Sequence, residues 1–352
     1  MKILILGTSN SILKDGWTYG FRAALPEAQI DKHIVGASPG MQFVTNLADD
    51  LSGYDHVILD CIVNDEHLSQ RIGDINYNNR LIFELMSTLA SRANLITLGF
   101  TKVNFIKKAS PQYLKRRVIA AACGSQFVSF RDLTLKYGRK ILGEKPGLYE
   151  HVGHPRREIS YAAGYQLGLA LADYVAPKRA PTVDYSGNFS VFKPEQLIPG
   201  RALSVRKNRL LSFEHIELRA GDAIEFPSAG RCIGFYVNAR DCRAMLKLAG
   251  PSGARFKETW FSVTDGLELK FVPVTGGFPL DRIEVADAEL PFERSIHSRF
   301  DEWPGKKGAR LTLGTVAFWN GDIDVPIPAP ASDFDAFDLH RLVDRRMAEQ
   351  HG

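Results

Sequence analysis

The sequence is short of the residues that staple, chelate or anchor a fold. Its 4 cysteines, Cys61, Cys123, Cys232 and Cys242, sit in apolar surroundings and show no CxxC spacing. A disulfide framework and a cysteine-rich zinc site are thereby excluded. The thiols are expected to be reduced core residues, with Cys232–Cys242 the one bridge to consider. No apolar run approaches the roughly 20 residues that a membrane helix needs. The N-terminus lacks the basic, apolar and small-residue series of an export signal, so the expectation is a cytoplasmic protein with no membrane span. Neither GxGxxG nor GxxxxGKS/T occurs, and no cofactor or metal is expected.

Neither acids nor bases are in large excess. A net +4 over 352 residues, with bases and acids interleaved, argues against a nucleic-acid partner. The runs LKRRV (114–118), HPRRE (154–158) and VDRRM (343–347) read as solvated helix faces. Internal repeats and low-complexity tracts are absent, and nothing in the sequence sets the oligomeric state.

What remains is a folded composition, 45% hydrophobic and 24% charged, long enough for two domains of roughly 100 to 200 residues. Short Ile-, Val-, Leu- and Phe-rich runs at 2–6, 30–35, 56–63, 94–100 and 126–130 read as strands. Segments of helical period separate or follow them at 10–25, 41–52, 76–91, 110–122 and 157–174. Strands alternating with helices predict a five-stranded parallel sheet covered on both faces. Residues 177–190, with prolines and no period, read as a linker. From 191 to 330 short alternating stretches such as LLSFEHIELR, ETWFSVT and RLTLGTVAFW are divided by turn signals, which predicts an antiparallel β-sandwich. A C-terminal helix is expected at about 334–349. The division is therefore 1–176, 177–190, 191–330 and 331–352.

In an open parallel sheet, ligands bind where loops leave the carboxyl ends of the strands. The first such loop is GTSNS (7–11), the second VGASPG (35–40), the third IVNDEH (62–67), and YEHVGHPRRE (149–158) precedes the last helix. Each alone has an ordinary explanation. Ser9 sits where a helix N-cap would, Gly36 and the Asn64–Asp65 pair suit turns, and a histidine before a proline is commonly structural. Together a serine, a glycine, an asparagine and a histidine emerge in that order on one edge.

This series resembles the SGNH (GDSL-type) hydrolase family over about residues 1–175. The resemblance implies a flavodoxin-like three-layer α/β domain working through an acyl-serine. Ser9 would be the nucleophile and His154 the general base. The N–H groups of Gly36 and Ser9 and the side-chain amide of Asn64 would form the oxyanion hole. The residue types suit the chemistry: a serine attacks only when a base takes its proton, and the tetrahedral oxyanion needs preorganised donors. Thr8 stands where the family has Asp, Asn10 where Leu is common, and Ile62 replaces a glycine, which would narrow the cleft. The aspartate expected three residues before His154 is His151. The base is then oriented by Glu150, by a backbone carbonyl in a dyad, or its role shifts to His151.

The implied function is a serine esterase removing an acyl group, acetyl foremost, from a carbohydrate or other small ester. An O-acyltransferase of polysaccharide biosynthesis using acyl-CoA, or a non-catalytic glycan-binding or assembly protein, stands beside it. Phe235, Tyr236, Trp260, Trp303 and Trp319 are candidates for a sugar-stacking surface, although most aromatics in a sandwich are core.

Overall fold

The structure is a computed structural model. It describes every residue except 69–73, 176–181, 210, 262–265, 288–290, 294–307 and 333, and the side chains of 227–229. Strands β1 (Lys2–Gly7), β2 (Gln29–Ile34), β3 (His56–Leu59), β4 (Asn94–Leu98) and β5 (Gln126–Val128) form one parallel sheet in the order β2-β1-β3-β4-β5. Strand alternation assigns the two faces. Ile3 and Ile5 enter one core with Ile58, Ile96 and Val128, whereas Leu4 and Leu6 enter a second with Val57, Leu59 and Leu95.

The helices of this part are α1 (Ser9–Ile12), α2 (Trp17–Ala24), α3 (Ile62–Leu68), α4 (Ile75–Arg92), α5 (Pro111–Ala122), α6 (Phe130–Leu142) and α7 (Arg157–Asp173). Their starts follow local chemistry. Asp74, Ser110 and Ser129 accept backbone N–H groups in the first turns of α4, α5 and α6, and Pro111 opens α5 where its missing N–H costs nothing. Helices α2 and α7 cross at backbone contact. A Cβ on Gly20 would lie 2.1 Å from the Tyr161 carbonyl oxygen, and one on Gly164 would lie 2.1 Å from that of Trp17.

Several expected elements differ. The helix foreseen at 10–25 is two helices, parted at 13–16 where Asp15 adopts a left-handed φ of 58°. The 41–52 helix is a 3-10 helix, Gly40–Ala48. The third strand stops at Leu59 instead of continuing to 63, and IVND begins α3. Helix α6 and the hairpin of β6 (Tyr149–His151) and β7 (His154–Pro155) were not foreseen. In the LKRRV run only part of the face is solvated: Arg116 is fully buried.

Among the described residues from Phe189 to Trp319 the chain is all-β, apart from the single turn α8 (Pro194–Leu197). Strands β8 (Phe189–Phe192), β9 (Ser204–Lys207), β10 (Ser212–Arg219), β11 (Ala223–Asn238), β12 (Arg243–Gly250), β13 (Gly253–Trp260), β14 (Leu269–Val285) and β15 (Arg310–Trp319) pair antiparallel. Register breaks in the long strand β11, between Glu225 and Gly230 and between Cys232 and Gly234, bend the sheet around a core of its own. All 4 cysteines are buried and unbridged.

The second half of the expected linker is no free tether, and the first half, 176–181, lies outside the described residues. Val183 accepts a bond from Ser87 Oγ at 2.7 Å, and Tyr185 donates its N–H to Thr88 Oγ1 at 2.9 Å, both on α4. The two parts share a core in which Phe213, Tyr236, Phe271 and Trp319 join Phe43, Tyr77 and Leu81. Its polar centre is the buried Glu84, which accepts from Arg80 Nε at 2.8 Å, Asn188 Nδ2 at 2.9 Å and Trp319 Nε1 at 2.6 Å. Of the candidate sugar-stacking rings, Phe235, Tyr236, Trp260 and Trp319 are therefore core residues, and Trp303 lies outside the described residues. The last helix, α9 (Asp338–His351), returns to the α/β part, burying Leu339, Val343 and Met347 beside α7. No helix among the described residues is long and apolar enough to cross a membrane.

Candidate active site

The loop after β1 and the hairpin β6–β7 bring Ser9 and His154 together. His154 Nε2 lies 2.9 Å from Ser9 Oγ, across 145 residues of sequence. Asn10 fastens the two loops, its Nδ2 donating to the Gly153 carbonyl at 3.2 Å. The four-residue α1 is too short for an appreciable dipole, and the Thr8 side chain caps nothing. Thr8 instead turns inward to Asp60, with both its N–H and its hydroxyl 3.5 Å from Oδ2. Ser11 Oγ donates to the same oxygen at 2.7 Å and takes a bond from Trp17 Nε1 at 3.2 Å. Asp60 thus braces the loop from below, on both sides of Ser9. Burial pushes its carboxyl up to about 6, against the hydrogen bonds from Ser11 and Thr8.

Asn64 lies in the first turn of α3, beside Ser9 in the wall of one cavity. One amide hydrogen is used at 2.9 Å on the Ser38 carbonyl, which leaves the second for a ligand. Gly36 lies two residues past the end of β2, held beside the serine loop by the bond from Val35 N–H to the Gly7 carbonyl at 3.1 Å. The next residue, Ala37, lines the cavity with a left-handed φ of 54°, the strained backbone that functional loops retain when their surroundings enforce it.

The cavity holds about 210 Å³ and is walled by Val63, Leu68, Val152 and Gly153, with Lys102, His67 and His151 among its polar lining. Ile62, expected to narrow the cleft, turns into the core instead, and its neighbour Val63 does the lining. That volume suits a short acyl chain.

Among the described residues no carboxylate is hydrogen-bonded to the far side of the base. Among the described residues the hydrogen-bond partner of the His154 ring is Ser9. Glu150 is committed elsewhere, accepting Arg157 N–H at 3.0 Å and Arg157 Nη2 at 3.2 Å, so that it caps α7. His151 does not reach Ser9 either. Its ring lies 4.8 Å from that of His154, tilted by 35°, and its Nδ1 accepts the Gly153 N–H at 3.4 Å. Burial first, then the His151 charge, hold the His154 pKa below its ordinary value, with Glu150 pulling weakly upward. A ring so placed is neutral at physiological pH, the form that can accept a proton.

Residues to which the sequence assigned no catalytic role surround the site. Asp65 pairs with Arg116: Nε donates at 3.0 Å and Nη2 lies 2.9 Å from the same carboxylate oxygen, both side chains being buried. The other oxygen of Asp65 accepts the Gly40 N–H at 2.8 Å, which ties the loop after β2 to α3. Glu66 accepts Thr101 Oγ1 at 2.8 Å, Lys102 N–H at 2.9 Å and Ser110 Oγ at 2.5 Å, fixing the loop that carries Lys102. Asp60 and Glu66 had no motif and went unassigned in the sequence.

No protein-family model matches the sequence, and no curated protein matches it. Among solved structures the chain is similar to the acetyl xylan esterase AlAXEase, at 14% identity over 47% of this chain and 96% of that one, with a TM-score of 0.39. A member of the lipolytic protein G-D-S-L family from Veillonella parvula aligns at 15% identity over 49% of this chain and 96% of its own, with a TM-score of 0.36. The capsular polysaccharide assembling protein CapF from Staphylococcus aureus aligns at 12% identity over 93% and 98%, with a TM-score of 0.22.

Proposed function

We propose that the chain is a serine ester hydrolase with Ser9 as nucleophile and His154 as general base, acting as a dyad on a short acyl ester. The observation that carries this reading is the 2.9 Å contact between His154 Nε2 and Ser9 Oγ at the wall of a small, mostly apolar cavity. In the acylation step Nε2 takes the hydroxyl proton as Oγ bonds to the ester carbonyl carbon. The developing oxyanion is received by the free amide hydrogen of Asn64 and the N–H groups of Gly36 and Ser9. The intermediate collapses as the imidazolium gives its proton to the departing alcohol oxygen. Water then repeats the sequence on the acyl-serine and releases the acid. Without a carboxylate behind it the imidazolium is less stabilised, so most of the catalysis falls to the oxyanion donors.

The acyl group is a short one, acetyl foremost, since the cavity that Val63, Leu68 and Val152 help to wall holds about 210 Å³. A carbohydrate alcohol fits this reading without an aromatic platform, since the candidate rings described are buried. The test is a series of p-nitrophenyl acetate, butyrate and octanoate with Ser9→Ala as control, together with fluorophosphonate labelling. Acetate is expected to be the best substrate, and Ser9→Ala to lose both activity and label while melting like the parent. Hydrolysis by Ser9→Ala above a few per cent of the parent refutes the nucleophile. Transfer of acetyl from acetyl-CoA to a sugar, faster than hydrolysis, would make the protein an acyltransferase.

A further inference from the structure

The all-β part touches the loop that carries Gly36 through one buried hydrogen bond. Phe271 N–H, on β14, donates to Ser38 Oγ at 3.0 Å. Strand β14 pairs with β11 through Phe271, but with β12 only from Arg282 to Val285. Around Phe271 one edge of β14 therefore has no strand partner among the described residues, and a buried edge N–H requires an acceptor. Ser38, with 0% of its surface exposed, supplies it.

The same serine faces the candidate oxyanion hole from its other side. Its carbonyl accepts Asn64 Nδ2 at 2.9 Å and Gln42 Nε2 at 3.4 Å. Its hydroxyl donates to the Gly36 carbonyl at 3.4 Å, leaving its lone pairs for Phe271. One side chain thus takes a bond from the all-β part and gives one to the residue whose N–H is assigned to the oxyanion. Its backbone, meanwhile, orients the second donor, Asn64. Between Gly36 and Ser38 stands Ala37 in its left-handed conformation, which needs fixed neighbours on both sides to persist. A second tie runs alongside: Tyr236 on β11, paired with Phe271, donates its hydroxyl to Gln42 Oε1 at 3.2 Å.

We infer that Ser38 is a positioning residue through which the all-β part holds the oxyanion loop in its working geometry. This rests on the hydrolase reading above. The all-β part is then a component of the catalytic apparatus without contributing a group that touches substrate.

The experiment compares Ser38→Ala and Ser38→Cys with the parent, in wild-type and Asn64→Ala backgrounds, using p-nitrophenyl acetate and the tetrahedral inhibitor phenylboronic acid. Ser38→Ala is expected to lower kcat about 10- to 30-fold, less than loss of a whole oxyanion donor, with KM changed less than about 2-fold. Inhibition by the boronic acid should weaken by a similar factor. Ser38→Cys, whose sulfur is a weak acceptor, should fall between the two, and it carries the comparison if Ser38→Ala fails to fold. In the Asn64→Ala background the same change should cost less than about 3-fold, because residues acting as a unit are not additive. A kcat within about 2-fold of the parent, or an equal loss in both backgrounds, overturns the role of Ser38. An inactive Ser9→Ala alongside an unaffected Ser38→Ala sinks this inference alone. An active Ser9→Ala sinks the hydrolase reading and this inference with it.

Discussion

Replacing Asp60 with asparagine is expected to stabilise the protein at neutral pH and to change little in acid. Asp60 is fully buried, faces no cation, and has one oxygen, Oδ1, without a hydrogen-bond partner among the described residues. Its pKa stands at about 6 in the folded chain, against about 3.9 in an unfolded one. The sign follows from which state holds the proton. Below about pH 4 both states are protonated, and the carboxyl contributes nothing. As pH rises from about 4 to 6 the unfolded chain gives up the proton while the folded chain retains it, so ionisation favours unfolding. Above pH 6 both are ionised and the penalty is constant, at about 3 kcal/mol from the difference of about 2 pH units. Asparagine is nearly isosteric, and its Oδ1 can still take the Ser11 hydroxyl, so the variant escapes that penalty. Urea unfolding of both proteins at pH 4, 5, 6 and 8 reads the difference directly. The gap should open by up to about 3 kcal/mol across that range, reduced if the new amide N–H finds no acceptor. A difference that stays flat from pH 4 to 8 would refute the reasoning.

Two further outcomes can be checked. The acid limb of kcat/KM should have its midpoint below the ordinary histidine value of about 6.5, because burial and then His151 lower the His154 pKa. In pH-rate profiles His151→Ala should move that limb upward and Glu150→Gln slightly downward; a Glu150→Gln enzyme inactive at every pH would reinstate Glu150 as the orienting acid. Arg116→Met should destabilise the protein by about 3 to 5 kcal/mol in urea, since it strands the Asp65 carboxylate, and adding Asp65→Asn should recover part of the loss; additive losses would show that the pair is not coupled.

The sheet was legible because its central strands β1, β3 and β4 are buried and read as aliphatic runs, and the half-exposed edge strand β2, QIDKHI, lies between two segments of helical period. The meeting of Ser9 with His154 was legible only through order along the chain, since no spacing rule links residues 145 apart. Other features depended on tertiary partners. The strand at 56 continues as apolar text into 62 and 63, so nothing local marks the change at Asp60 from strand to the turn before α3. The helical spacing of α6 was interrupted by Gly138, where a Cβ would lie 2.7 Å from Leu148 Cδ2. Arg116 has the composition of a surface residue, and only its partner on α3 makes burial tolerable. The aromatic residues of the all-β part were offered as a sugar surface on residue type alone. The neighbours of the four described rings turn out to be α4, His33 and Phe43 and the bent sheet itself, which the sequence pattern of one part cannot reveal about another.

The return of α9 has a mechanical consequence. The all-β part leaves the α/β part after α7 and rejoins it before α9, and these two helices pack on each other, Leu167 and Leu171 sharing a core with Leu339, Val343 and Met347. It is therefore tethered at both ends to one rigid layer, as an excursion rather than a pendant. A pendant can swing away on a single strand of chain, whereas a loop pinned at both ends can only rock about the line between its anchors. For the bond between Phe271 and Ser38 this means that the amide and its acceptor are held at high local concentration.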